Sequence, residues 1–337
     1  MAGSVAIAAS SIFIILLAAH GFSVGRILRG VIVANVFTPM KSLGLKSILV
    51  ATDFTEASDK ALQHGIAIAR HYRATLYVVY VVSSVGLALN GPEAVELAAL
   101  ATERDINSLV NGLVDSGRLN GVEVRPIVLK GNVDEQVDSF ARAHQVDLIV
   151  VSTHARRGMA RLFFGSFAQR ISKGCCCPVL TVGPHSPGPW LVNPADTGRP
   201  LLFATAFSKA SAKAAPYAIS LANDFERPLF VLHVIPPHRT HLLEKNCIAR
   251  GDYEALALAH LNALVPSEAT QKCAVTHLVE PCDPADGILR AAMRIHATTI
   301  IMGAHRDSIS DLSTRLPWSI TNHVNREAMC PVLTVRG

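Results

Sequence analysis

Between Ser152 and Ser166 the chain places three arginines, Arg156, Arg157 and Arg161, ahead of a Gly165-Ser166 pair that opens a helical pattern. Guanidinium forks match phosphate oxygens, and the free amides of a helix start favour negative charge. The stretch is a candidate anion site. Asp53, directly after the apolar run 47–52, offers a carboxylate at a second strand end. Each residue also has an ordinary structural role: Ser166 as an N-cap, Asp53 as a helix cap, His154 as a packing histidine, the arginines as a solvated helix face.

Other chemistries find less support. Cys175, Cys176 and Cys177 adjoin an apolar strand, where three successive thiols cannot face one metal and read as packing. His238, His241, Cys247 and Asp252 lack the spacing of a tetrahedral site. No G-x-S-x-G elbow, Walker A lysine or His-x-Gly-His sequence occurs, so no machinery for covalent catalysis or phosphoryl transfer is visible and an enzyme is the minority reading. The net charge is +5, with Arg26, Arg29 and Lys41 supplying three, so no basic face of nucleic-acid type remains. Seven cysteines without paired spacing point to a reducing compartment.

The elements that must position these residues come in two copies. Cys177-Pro178-Val179-Leu180-Thr181-Val182 recurs at 330–335, and the same shift of 153 residues carries Ala51-Thr52-Asp53-Phe54-Thr55 onto Ala204-Thr205-Ala206-Phe207-Ser208. Apolar runs at 47–52, 75–82, 122–129, 147–152 and 178–182 alternate with helical patterns at 92–117, 133–144 and 166–173; the second copy has strands near 200–205, 228–235, 274–279, 298–302 and 331–335. Such alternation predicts an α/β fold of two tandem doubly wound, Rossmann-like parallel sheets pairing as a pseudo-dimer. The ligand crevice is expected outside the carboxyl ends of the first and fourth strands. Expected boundaries are 44–184 and 199–337, joined by a Gly/Pro-rich linker at 185–198.

With these residues the chain resembles a tandem universal stress protein, an adenine nucleotide alpha hydrolase-like fold: Ala51-Thr52-Asp53-Phe54, Ser152-Thr153-His154, Gly165-Ser166 and Cys177-Pro178-Val179-Leu180 all fit. Nucleotide-binding members resemble G-x2-G-x9-G-[ST] after the fourth strand. Carried over, the three glycines fall on Ser152, Ala155 and Gly165, so two of them are replaced. The resemblance implies ATP or a related adenine nucleotide in the first copy. Its phosphates would lie on the amides of Gly165, Ser166 and Phe167 near Ser152, His154 and Ala155, with Asp53 and Thr52 at the ribose end and Val81 flanking the base. It further implies a stress-response binding or signalling module; slow ATP hydrolysis is a lesser reading. The second copy has Ala206 for the aspartate, and Asp307 and Asp311 in its loop, and is expected to be structural. The alternative is a nucleotide-free protein that acts through dimerisation by its last strands.

Residues 1–43 stand outside the repeats. Ser4 to Val24 is apolar and long enough to cross a bilayer, and the arginines that follow it would leave both repeats in the cytoplasm. The other reading is an untranslated or disordered extension, since Met40-Lys41 would itself make a sensible start.

Overall fold

A computed structural model describes residues 42–82, 92–153, 171, 175, 177–189, 198–237, 250–270, 272–304 and 317–337. The apolar run Ser4–Val24 lies outside this set, and no helix among the described residues is long and apolar enough to cross a membrane.

In the first repeat the strands are β1 (Ser47–Ala51), β2 (Thr75–Val82), β3 (Val124–Lys130), β4 (Leu148–Ser152) and β5 (Val179–Val182). They alternate with α1 (Glu56–Tyr72), α2 (Pro92–Asp115) and α3 (Val133–Ala143). In the second, β6 (Leu201–Thr205), β7 (Leu229–Ile235), β8 (Val275–Pro281), β9 (Thr299–Ala304) and β10 (Val332–Arg336) alternate with α4 (Lys209–Asp224), α5 (Arg250–Leu264), α6 (Pro284–Arg294) and α7 (Pro317–Glu327). The expected strands recur within a residue or two at each end. In the helix expected at 166–173, only Ile171 is among the described residues, and it is helical.

Local chemistry sets the helix starts. Thr55, Asn132, Ser208 and Asp283 each cap the helix that follows by accepting a backbone N–H with the side chain. Pro284 then fills the first position of α6, where its missing N–H costs nothing. The strands of sequence SILVA and LLFAT are buried throughout, as strands covered on both faces must be.

The ten strands among the described residues form one sheet in the order β3-β2-β1-β4-β5-β10-β9-β6-β7-β8. Every pairing is parallel except β5–β10, which is antiparallel with Val332 opposite Thr181, Leu333 opposite Leu180 and Thr334 opposite Val179. Leu180 and Leu333 are equivalent positions of the two repeats, so a pseudo-twofold axis passes between them. Within each half the winding direction reverses between β1 and β4, and between β6 and β9.

The two faces differ. On one, α1, α2, α4 and α5 share a single apolar core that crosses the seam and contains Leu180 and Leu333. On the other, α3 with Ile171 and α6 with α7 close separate cores, one per repeat. Arg336 also donates across the seam to the Cys175 carbonyl at 3.0 Å. The segment that follows β5 is strapped onto α1, where Lys60 Nζ donates to the Pro184 carbonyl at 2.8 Å and His64 Nε2 to the Pro187 carbonyl at 3.2 Å.

Candidate functional site

The carboxyl ends of β1, β2 and β4 bring together part of the expected set. Ile48 pairs with Leu148 and Val50 with Val150, so Thr52 and Ser152 emerge two residues beyond that ladder on either side of the switch point. Ala51 pairs with Val79, which brings Asp53 to the level of Val81. Thr52 is buried; Asp53, Val81 and Ser152 are half-buried. His154, Ala155, Gly165, Ser166 and Phe167 lie outside the described residues, as do the three arginines.

Asp53 is held by a local turn. Its Oδ1 accepts from the Thr55 N–H at 3.1 Å and the Thr55 hydroxyl at 2.6 Å. Thr52 Oγ1 accepts from the Phe54 N–H at 3.1 Å and lies 3.1 Å from Ser58 Oγ. These bonds satisfy the donors just ahead of α1 and fix the carboxylate at the crevice mouth. Oδ2 has no hydrogen-bond partner among the described residues.

Beyond the expected set, Phe54, Tyr80 and Thr153 also stand at this end of the sheet. Phe54 holds φ at +60°, a left-handed value that bulky residues rarely adopt, and its ring stacks on Tyr80 with centroids 5.0 Å apart and planes 19° apart. Thr153, beside Ser152, donates its N–H to the Val182 carbonyl at 3.1 Å, while its buried hydroxyl has no hydrogen-bond partner among the described residues. The Asp-x-Thr spacing at 53–55 was a legible turn signal. Tyr80 lies within an unbroken β-branched and aromatic run and carries no such mark.

The second repeat keeps the turn and loses the carboxylate. Phe207 also has a left-handed φ of +55°, and its N–H donates to Thr205 Oγ1 at 3.0 Å. Ala206 takes the aspartate's place and donates its N–H to Ser211 Oγ at 3.2 Å. His233 stands where the first repeat has Tyr80; its Nδ1–H donates to the Thr205 carbonyl at 2.9 Å beneath the Phe207 ring. His260 flanks the same ring and is held below the usual histidine range by burial. Gly303 matches Ser152 in the repeat, yet a Cβ there would collide with the Ala210 carbonyl and reach the Ser211 nitrogen at 2.5 Å. The second repeat therefore uses this glycine to pack the first turn of α4 onto β9.

A groove of about 770 Å³ lies elsewhere, between α6, α7 and Arg199 at the amino ends of β9 and β10. It contains none of the candidate residues. Among the described residues no cluster of histidine, cysteine or acidic side chains is arranged to hold a metal. Cys330 is buried, which pushes its thiol up to about 12 and makes it inert at neutral pH.

The sequence profile of the Universal stress protein family matches the chain twice, over residues 44–183 and 198–336. Universal stress protein MJ0531 of Methanocaldococcus jannaschii is 31% identical over 140 residues, covering 41% of this chain and 81% of that protein. A universal stress protein from Archaeoglobus fulgidus superposes with a TM-score of 0.66 at 17% identity, covering 88% of this chain and 98% of that one. The Pseudomonas aeruginosa protein PA1789 gives 0.58 at 17% identity, covering 87% and 93%. At such identity these two structures speak for the fold, which includes both repeats.

Proposed function

Since the chain belongs to the universal stress protein family and carries its domain twice, we propose that it is a stress-response binding module whose first repeat takes ATP or a related adenine nucleotide. The observation that carries this reading is Asp53. Its carboxylate is fixed through Oδ1 by Thr55, at the level of Val81 and across the switch point from Ser152. A carboxylate accepts from two vicinal hydroxyls, and Val81 offers an apolar surface to a base, so these side chains fit the sugar and base end of a nucleoside. The phosphate end falls to Gly165, Ser166 and Phe167 by the resemblance, with His154, Ala155 and the loop arginines around it. The second repeat has Ala206 at the corresponding point and serves as the partner that completes the sheet.

A second reading is favoured by Ser152 and Ala155, which replace two glycines of the phosphate motif. In it both repeats are nucleotide-free, and the protein works through its surfaces.

The readings separate on the purified full chain, denatured to release any bound small molecule and, in parallel, melted with and without ATP. Near-stoichiometric adenine nucleotide, or a Tm that rises with ATP concentration, supports nucleotide binding. If none is released and ATP leaves Tm unmoved, the surface reading replaces it. Asp53→Ala locates the site: a variant that binds as tightly as the parent places the nucleotide elsewhere.

A further inference from the structure

His71 and Tyr72 end α1 in the first repeat; the shift of 153 residues carries them onto Asp224 and Phe225 at the end of α4 in the second. The pseudo-twofold axis brings these two pairs face to face, and the contacts they make are unlike on its two sides. On one side the Tyr72 hydroxyl donates to Asp224 Oδ2 at 2.6 Å. On the other, where symmetry would repeat that contact, the His71 ring lies 4.1 Å from the Phe225 ring. Between them the Tyr72 and Phe225 rings meet edge to face at 5.8 Å. Asp224 Oδ2 also accepts from Ser42 Oγ at 3.1 Å and the Leu43 N–H at 3.3 Å, so the segment that leads into the first repeat is tied to the second.

We infer that His71, Tyr72, Asp224 and Phe225 are a pairing code, which makes the seam surface of the second repeat fit the first repeat and reject a second copy of itself. Two second repeats brought together about the same axis would set each Asp224 against the other copy's Phe225. Neither carboxylate would find the hydroxyl that Tyr72 provides, and the two like charges would share the seam. A half-buried carboxylate facing an aromatic ring instead of a donor loses a charge-assisted hydrogen bond and stays partly desolvated. Two first repeats would set Tyr72 against His71 on both sides, an arrangement without a carboxylate and with the imidazole as acceptor. The discrimination therefore sits mainly on the second repeat, and it acts by making the wrong pair costly. The last strands alone cannot supply it, because Val179, Leu180 and Thr181 are identical to Val332, Leu333 and Thr334 and would pair equally well in every combination.

The full chain tests this by exchanging the pairs. His71→Asp with Tyr72→Phe gives both halves the second repeat's residues. Asp224→His with Phe225→Tyr gives both the first repeat's, and the four changes together restore one pair of each kind on opposite sides. Thermal melting should show the first variant losing about 4 °C or more, and the four-fold variant melting well above it. If the first variant melts with the parent, or if the four-fold variant melts at or below the first, the code does not exist. Should the first variant fail to fold, the four-fold variant decides alone: a folded, monomeric protein supports the code, and an unfolded one overturns it.

Discussion

Phe54 and Tyr80 are locked to each other: the phenylalanine keeps a backbone φ of +60° while its ring lies stacked 5.0 Å from the tyrosine's. A left-handed φ on a bulky residue costs on the order of 1 kcal/mol or more, and the stacked pair returns a similar amount. The turn carries Asp53 with it. Tyr80→Ala should therefore release the turn, speeding hydrogen exchange of the Phe54 and Thr55 amides and weakening any nucleotide binding several-fold. Tyr80→Phe keeps the ring and should leave both unchanged. Exchange in Tyr80→Ala as slow as in the parent would show that the stack is incidental.

Asp53 has a structural duty that must be separated from a binding one. Asp53→Asn keeps an oxygen for the two Thr55 donors, whereas Asp53→Ala leaves them unpaired and should cost about 1 kcal/mol in urea unfolding. Loss of nucleotide binding in both variants, with stability lost only in the alanine variant, is the expected pattern.

His64 makes stability depend on acid. It is buried, its Nε2–H is bonded to the Pro187 carbonyl, its Nδ1 has no hydrogen-bond partner among the described residues, and burial holds it down from 6.5 to about 4. The folded chain resists a proton that the unfolded chain accepts. The histidine thus leaves stability unaffected above pH 6.5 and erodes it as pH falls from 6.5 towards 4, by about 3 kcal/mol at full protonation. His64→Gln should flatten that part of the stability profile. An unchanged slope between pH 6.5 and 4.5 would mean that other groups set it.

Gly303 should tolerate no side chain. Its missing Cβ is filled by the backbone of Ala210 and Ser211, which has no flexible end to move aside. Gly303→Ala is expected to cost roughly 2–3 kcal/mol in urea unfolding by forcing α4 off β9. At the corresponding point the first repeat already carries Ser152, so Ser152→Ala should change stability far less.

Much of the scaffold was legible because burial leaves a periodic mark on the chain. After their opening Ser47 and Thr75, SILVA and TLYVVYVV are apolar or aromatic throughout, since both faces of a parallel sheet are covered, and their alternation with helical patterns marks the winding and the switch point. The candidate site was half legible. Asp53 and Ser152 follow from their places at strand ends, but Tyr80 is one aromatic residue in a continuous apolar strand. Whether it faces Phe54 or the opposite core depends on strand register, which local periodicity does not encode.

The sequence by itself determined the duplication, the ten strands and the loss of the aspartate at Ala206. Each is a matter of residue type at a position, and comparison of the two copies reads it directly. The tertiary structure decided that the copies share one sheet through β5 and β10, that Leu180 meets Leu333 on the axis, and that Tyr72 rather than a second carboxylate faces Asp224. These residues are about 150 positions apart in the chain. A contact at that distance is chosen by how two folded surfaces fit, and neither segment carries a local sign of the other.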